Sequence, residues 1–284
     1  MTDSRPMLLT GAAGVLGRWL RPRLIERYGK LRSSDIVDPA PALRHEKLSI
    51  VDLADAKAVD RLVKGAGRII HFGGISYEAR FKKINAANIA GTYNVFEAAR
   101  RHGAGPIVYA SSNHATGFYT RDERLDGRAT HRPDSLYGVS KAFGESLASF
   151  FVDKYGLDIA CLRIGTAAPK PHDPRHLSTW QSYPDLLRMI EACFASRKLG
   201  FTVLYGVSAN KRRWWSNAHA PHVAYKPKDN AEPAAAKFFA KGDRRDPKDP
   251  AVKYQGGPFV SDGYMKAPKS KVKVKAKSKV KAKR

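Results

Sequence analysis

Hydrophobic and polar positions alternate along this chain in a recurring order. Residues 7–10 (MLLT) are a short apolar run, residues 11–17 are glycine-rich, and residues 18–29 carry apolar side chains at helical spacing. Pro22 falls early in that helix, where a missing N–H is tolerated. Further strands are expected from Leu31 to Val37 and from Lys47 to Val51. Residues 53–65 form an amphipathic helix opened by Asp52 or Asp55 as its cap. A buried strand then covers 68–74, a helix Asn85 to His102, a strand 106–112, a long helix 134–156 and a strand 158–165. Strands alternating with helices imply an α/β fold, a doubly wound parallel sheet with helices on both faces.

After Gly165 the pattern weakens. A helix is expected over 182–196, a strand over 201–209 and a last helix over 230–242, while 243–268 is polar and proline-rich with no assignable element. The final twenty residues, Met265 to Arg284, hold nine lysines and one arginine with no acid. Their charges repel and they have almost nothing to bury, so 265–284 reads as a disordered tail after a folded body of 1–264.

That tail changes the meaning of the net charge. It supplies ten of the 25 net positive charges of the 284 residues, leaving +15 on the body. A basic body suits an anionic ligand, and the tail could hold a polyanion electrostatically. The 43% apolar composition supports a real core. No segment approaches the ~18 apolar residues of a membrane helix, and the N-terminus lacks a secretory pattern, so no membrane role is expected. Cys161 and Cys193 sit in apolar surroundings without a CxxC partner, which reads as buried packing in a reducing cytoplasm, not as a metal or redox site.

Three groups of residues carry chemistry. The first is Gly11-Ala12-Ala13-Gly14-Val15-Leu16-Gly17, a GxxGxxG turn between strand and helix. Such a turn lets backbone approach a pyrophosphate, with the helix N-terminus supplying amide donors, and makes the sheet a Rossmann type. The second is Asp35, about 20 residues beyond the glycines. An acid there accepts from adenosine ribose hydroxyls and repels a 2′-phosphate, favouring NAD over NADP; Asp38 competes for the role. Asp52 and Leu53 fall where the adenine ring lies, and Phe72, Gly73 and Gly74 where the dinucleotide crosses the sheet edge.

The third is Tyr137-Gly138-Val139-Ser140-Lys141, following a strand that ends in Ser111 and Ser112. Residues four apart share a helix face. A phenol with a pKa of about 10 is a poor base at neutral pH. A neighbouring ammonium, with the positive charge of oxidised nicotinamide, is expected to lower it, so that Tyr137 takes a hydroxyl proton as hydride leaves the same carbon. Alternation at the strand end lets only one of Ser111 and Ser112 face the substrate; Ser112 is the expected one. Asn113 and His114 follow and could hold further hydroxyls.

The segments TGAAGVLG, HFGGIS, NIAGTYNVFEAAR, ASSNH, LYGVSK, CLRIG, HLSTW, GVSAN and YKPKDNAE, in this order, closely resemble the uronate dehydrogenase family of extended short-chain dehydrogenases. The likeness runs from about residue 7 to about residue 260. It implies oxidation of D-galacturonate or D-glucuronate at the anomeric carbon with NAD, giving the aldaric acid lactone. It places substrate contacts at Ser76, Ser112, Asn113, His114, Thr166 and Arg175, with Tyr137 as proton acceptor and Lys141 as its partner and a cofactor contact. A homo-oligomer is implied as well, with the substrate-binding segments mainly within 166–264. An arginine suits the remote carboxylate as a planar, bidentate partner. Thr166 stands where the family pattern has serine, Val15 where a polar residue can occur, and Lys211-Arg212-Arg213 replaces a less basic stretch.

Other classes fit less well. A nucleotide-sugar epimerase or dehydratase needs a larger C-terminal region than the roughly 100 residues between Gly165 and the tail. The body shows no zinc spacing or other nucleic-acid module. A non-catalytic NAD sensor would have no need of a proton acceptor.

Overall fold

The computed structural model describes residues 4–240 and 245–262. Among these the strands are β1 (Met7–Thr10), β2 (Leu31–Asp35), β3 (Glu46–Ile50), β4 (Ile69–His71), β5 (Ile107–Ser112), β6 (Ile159–Ile164), β7 (Thr166–Ala167), β8 (Trp180–Gln181) and β9 (Phe201–Gly206). Apart from the β7–β8 pair, all lie in one parallel sheet of order β3-β2-β1-β4-β5-β6-β9. The longer helices are α1 (Val15–Tyr28) and α2 (Ala56–Val63), then α3 (Phe81–Ile84) running through a π-helical turn (Asn85–Ala90) into α4 (Gly91–His102). They are followed by α5 (Leu136–Tyr155), α6 (His176–Thr179) and α7 (Tyr183–Ala195). The chain reverses direction across the sheet between β1 and β4, the place where open α/β sheets leave a crevice beyond their carboxyl ends.

Alternate strand residues feed two cores. Met7, Leu9, Ile70, Val108, Ala160 and Leu162 pack with Leu20 and Leu24 of α1 and Leu186, Met189 and Ile190 of α7. Leu8, Ile69, Ile107, Tyr109, Ile159 and Cys161 pack with Val59 and Val63 of α2, Val95 and Phe96 of α4 and Phe151 of α5. The near-continuous apolar strands are those of a sheet covered on both sides. Cys161 and Cys193 are both fully buried, one in each core.

Several boundaries differ from the expectation. Helix α1 begins at Val15, so Pro22 lies two turns inside it instead of near its start. Asp55, not Asp52, caps α2, accepting from Lys57 and Ala58 N–H; Asp52 turns to Ala54 N–H instead (2.9 Å). The last helix shrinks to α8 (Ala235–Phe239). The unassigned stretch after 243 contains α9 (Pro250–Lys253) and a 3-10 turn at Gly257–Val260. The expected tail at 265–284 and the domain boundary at 264 lie outside the described residues. No described helix is long and apolar enough to cross a membrane.

One polar residue sits at the centre of the sheet. His71, at the end of β4, is fully buried between Thr10 (2.8 Å) and Thr92 (3.2 Å), with its ring stacked on Tyr109. Burial, helped by the Lys141 charge, depresses its pKa from 6.5 to about 3. The unfolded chain therefore binds a proton that the folded chain refuses, and stability falls with acidification from pH 6.5 towards about 3. Urea unfolding at pH 7 and pH 5 should show this loss in the wild type, and His71→Gln should have a flatter profile; equal slopes would refute it.

Candidate active site

The glycine turn needs each of its glycines for a different reason. Gly11 takes φ +78°, and a Cβ there would lie 2.6 Å from the Phe72 carbonyl carbon. A Cβ on Gly17 would lie 2.1 Å from Gly11 O, so this glycine sets the contact between α1 and the turn. A Cβ on Gly14 would have only Gly11 O nearby, at 3.3 Å. Its missing side chain is not explained by packing, and Gly14 opens onto the crevice as the N-cap of α1. Asp35 at the end of β2 accepts from Ala13 N–H (2.9 Å) and Ile36 N–H (2.7 Å). It thus ties the turn to β2 and keeps further acceptor capacity, since a carboxylate offers about four lone-pair positions.

The crevice is a cleft of about 990 Å³. Its walls include Gly11, Ala13, Gly14, Val15, Leu16 and Gly17 of the turn, Asp35, Asp52 and Leu53, and Phe72, Gly73 and Gly74 after β4. The same cleft continues to Ser76, Ser112, Asn113, His114, Tyr137, Lys141, Thr166 and Arg175. Every site residue expected from the sequence therefore lines one cavity. Gly73 and Gly74 also have packing reasons, since a Cβ would meet Leu53 and Thr10 at the first and Asn88 at the second.

Tyr137 and Lys141 lie on the first turns of α5, both buried. Ser135 caps that helix by accepting from Gly138 N–H (2.9 Å), and Glu78 accepts from Leu136 (3.2 Å) and Tyr137 N–H (2.9 Å). Ser111 donates to the buried Glu145, which also binds Arg163 and His131. Its hydroxyl is thereby committed to the core, while Ser112 accepts from His114 N–H (3.2 Å).

The electrostatics of the chain by itself show how much the ammonium achieves without the nicotinamide charge that the expectation also invoked. Burial dominates at Tyr137 and pushes its phenol up to about 12, with hydrogen bonding to Ser112 opposing. The ammonium of Lys141 alone does not outweigh this burial. Its Nζ donates to Ala110 O (2.7 Å) and stands 5.5 Å from the Tyr137 ring centre, and burial brings its own pKa down to about 8.

Arg175, from the loop before α6, brings a guanidinium to the other end. Nε and Nη2 donate to Gln255 O (3.0 and 2.7 Å), and Nη1 donates to Thr166 Oγ1 (3.0 Å), which also pairs with Thr179 (2.9 Å). With its amide oriented to suit its neighbours, Asn113 accepts from Arg175 Nη2 (3.0 Å) and donates to Ile164 O (3.1 Å). No carboxylate pairs with Arg175 among the described residues. Burial, with Arg121 adding, lowers its pKa to about 10.

Several contributors were missed in the sequence. Asn88, in the π-helical turn, binds both backbone groups of Ile75 and donates to Ser140 Oγ (2.9 Å), which donates to Tyr137 O. Asp134 accepts from His114 Nδ1 (2.7 Å). Gly256, Pro258 and Phe259 form a wall of the cleft from a segment with no periodic signal beyond its glycine pair. His172, Asp173 and His176 gather ligand-type atoms within 4.8 Å. However, His176 Nδ1 accepts from His172 N–H (3.2 Å) and Nε2 pairs with Asp173 (3.0 Å), so the cluster closes on itself and shapes the Arg175 loop.

The NAD dependent epimerase/dehydratase family matches residues 7–184. The uronate dehydrogenase of Pseudomonas syringae pv. tomato is 48% identical over 263 residues, covering 92% of this chain and 95% of that protein. The chain belongs to the uronate dehydrogenases of this family. Glucuronic acid dehydrogenase from Chromohalobacter salexigens has a TM-score of 0.89 at 46% identity, with 91% of this chain and 97% of that chain covered. A mutant uronate dehydrogenase from Agrobacterium tumefaciens, solved in complex with NAD, also has a TM-score of 0.89 at 46% identity, covering 93% and 99%.

The turn fits the family's dinucleotide: side-chain-free backbone at Gly14 facing the cleft and a carboxylate at Asp35 are what a pyrophosphate and a ribose require. Gly17→Ala should lower the melting temperature, because its methyl meets backbone that cannot yield. Gly14→Ala should leave melting nearly unchanged and weaken NAD in a fluorescence titration. The reverse ranking would show that Gly14 is there for packing.

Proposed function

We propose that this chain oxidises a free uronate, D-galacturonate or D-glucuronate, at its anomeric carbon with NAD, giving the aldaric acid lactone. The observation that carries this reading is a buried cation with no carboxylate in direct ion-pair contact among the described residues, Asp173 and Asp134 acting on it only from farther off. Arg175 points a guanidinium held only by carbonyl, hydroxyl and amide oxygens into the cleft that Ser112, Tyr137 and Lys141 also line. A uronate carboxylate is the anion that such a cation attracts, through its charge and the one N–H left on Nη1. Nucleotide-sugar epimerase or dehydratase chemistry is not favoured beside uronate dehydrogenases matching nearly the full length.

In this reading the glycine turn, Asp35, Asp52, Leu53 and Phe72 to Gly74 hold the dinucleotide, with Lys141 contacting it as well. NAD, when bound, supplies the hydride acceptor. Arg175 fixes the carboxylate end of the sugar, Thr166 steadies Arg175, and Ser76, Asn113 and His114 meet the ring hydroxyls. Ser112 holds the reacting oxygen, and Tyr137 removes the proton from the anomeric hydroxyl. A phenol raised by burial holds its proton at neutral pH, so Tyr137 has to release that proton to solvent before it can accept another; the positive charges of Lys141 and of bound oxidised nicotinamide would favour the phenolate that then takes the anomeric proton. This reading implies the cytoplasm as the compartment and a homo-oligomer as the working form, the latter checked by sedimentation.

Mixing the protein with NAD and each uronate should produce reduced nicotinamide, read at its absorbance band. Tyr137→Phe should lower turnover about 10²- to 10⁴-fold with NAD binding retained. Arg175→Ala should raise KM for the uronate about 10- to 100-fold, the loss of a charge-assisted pair. Full turnover by the phenylalanine variant would sink the mechanism.

A further inference from the structure

His114 meets three constraints at once. Its Nδ1 lies 2.7 Å from Asp134 Oδ2, its ring stacks on Phe259 at 3.8 Å and 24°, and Tyr137 meets it edge-on at 5.8 Å. The Asp134 side chain is fully buried. Its other oxygen accepts from Ser135 Oγ (2.8 Å), and its backbone N–H donates to His114 O (3.3 Å). Two glycines from distant segments wrap the carboxylate: a Cβ on Gly117 or Gly256 would stand 1.8 or 1.9 Å from Oδ2. Gly256 N–H donates to Gly117 O (2.9 Å), which closes the cradle. The carboxylate therefore has one position, and the imidazole one orientation.

We propose that Asp134 is a positioning residue that fixes the tautomer of His114, so that His114 offers Nε2 as a hydrogen-bond acceptor to a hydroxyl of the bound sugar. A carboxylate only accepts, so the ring proton belongs on Nδ1. Burial pulls the His114 pKa down; Asp134 opposes this, Arg175 reinforces it and Glu78 opposes it, with the net shift downward. A neutral ring with its proton on Nδ1 has only a lone pair at Nε2. That nitrogen has no protein partner among the described residues, and the ring lines the cleft. An acceptor there repels a carboxylate and receives a hydroxyl. Arg175 and His114 thereby sort the two kinds of oxygen on one sugar and set its orientation before any bond changes. This inference rests on the uronate reading for the identity of the ligand.

The test begins with the wild-type chain. Long-range ¹H–¹⁵N spectra of histidine-labelled protein at neutral pH should show His114 neutral with its proton on Nδ1. Asp134→Ala and Asp134→Asn should move those resonances towards the other tautomer. They should also raise KM for the uronate about 10- to 100-fold, with a smaller fall in kcat and unchanged NAD affinity. Among uronates lacking one ring hydroxyl each, one should bind wild type poorly and yet bind the two variants no worse than the parent sugar does. A proton on Nε2, or a charged ring, in the wild type would overturn the proposal, as would folded variants with an unaltered KM. If the variants fail to fold, the wild-type spectrum decides. Wild type that leaves every uronate unoxidised would overturn the uronate reading, while the tautomer would still be read from the spectrum.

Discussion

The backbone at Gly11 runs so close to the end of β4 that no side chain fits between them. That approach holds β1 beside β4 and turns the chain away from the sheet in a left-handed conformation open mainly to glycine. From there α1 departs with its N-terminus over the crevice, and Gly17 lets it settle directly on the turn. Asp35 ties the turn to β2 from the other side. The remainder of the site is placed against this frame: β5 ends in Ser112, and α5 starts close enough to lay Tyr137 and Lys141 across the same opening.

How much of this can be read from the sequence depends on whether a feature is local. The sheet strands announce themselves as apolar runs, and the alternation of Met7 and Leu9 with Leu8 between two cores is a period-2 signal. The glycine turn and the Tyr137–Lys141 spacing are short-range patterns with one structural meaning each. Helix boundaries were less legible. Val15 and Leu16 precede the periodic stretch, so α1 starts earlier than expected, and two aspartates competed for the cap of α2. The features that escaped all join distant segments: Glu78 to the start of α5, Asn88 to Ser140, Asp134 to Gly256. Neither periodicity nor spacing registers such pairings, because each residue alone looks like ordinary loop polarity.

Electrostatics were the least legible. An ammonium one turn from a phenol suggests a lowered phenol, yet Tyr137 is raised and Lys141 is lowered. Both groups leave water on folding, and desolvation acts on each charged form at full strength, whereas their mutual attraction depends on orientation. Lys141 spends its short hydrogen bond on Ala110 O of β5. A phenol kept neutral avoids the cost of burying its charge, and it has to be ionised before it can accept a proton.

The same balance explains how Arg175 is held. A buried cation needs partners, and a carboxylate would be the strongest. Such a partner would also use up its charge. Here the partners are Gln255 O, reached twice, together with Thr166 Oγ1 and Asn113. These dipoles fix the direction of the guanidinium and take four of its five N–H donors, while Asp173 and Asp134 offset its charge only from a distance. Gln255 is held for this by its own side chain, which accepts from Trp215 Nε1 and donates to the carbonyls of Thr120 and Glu123. Gly257, at φ +66°, then lets the backbone pass the Arg175 side chain, where a Cβ would come within 2.9 Å of Cδ. The segment that lacks any periodic signal thus walls the cleft beside Arg175, and it meets the guanidinium with a backbone carbonyl and a glycine, which orient a cation without neutralising it as a side-chain acid would.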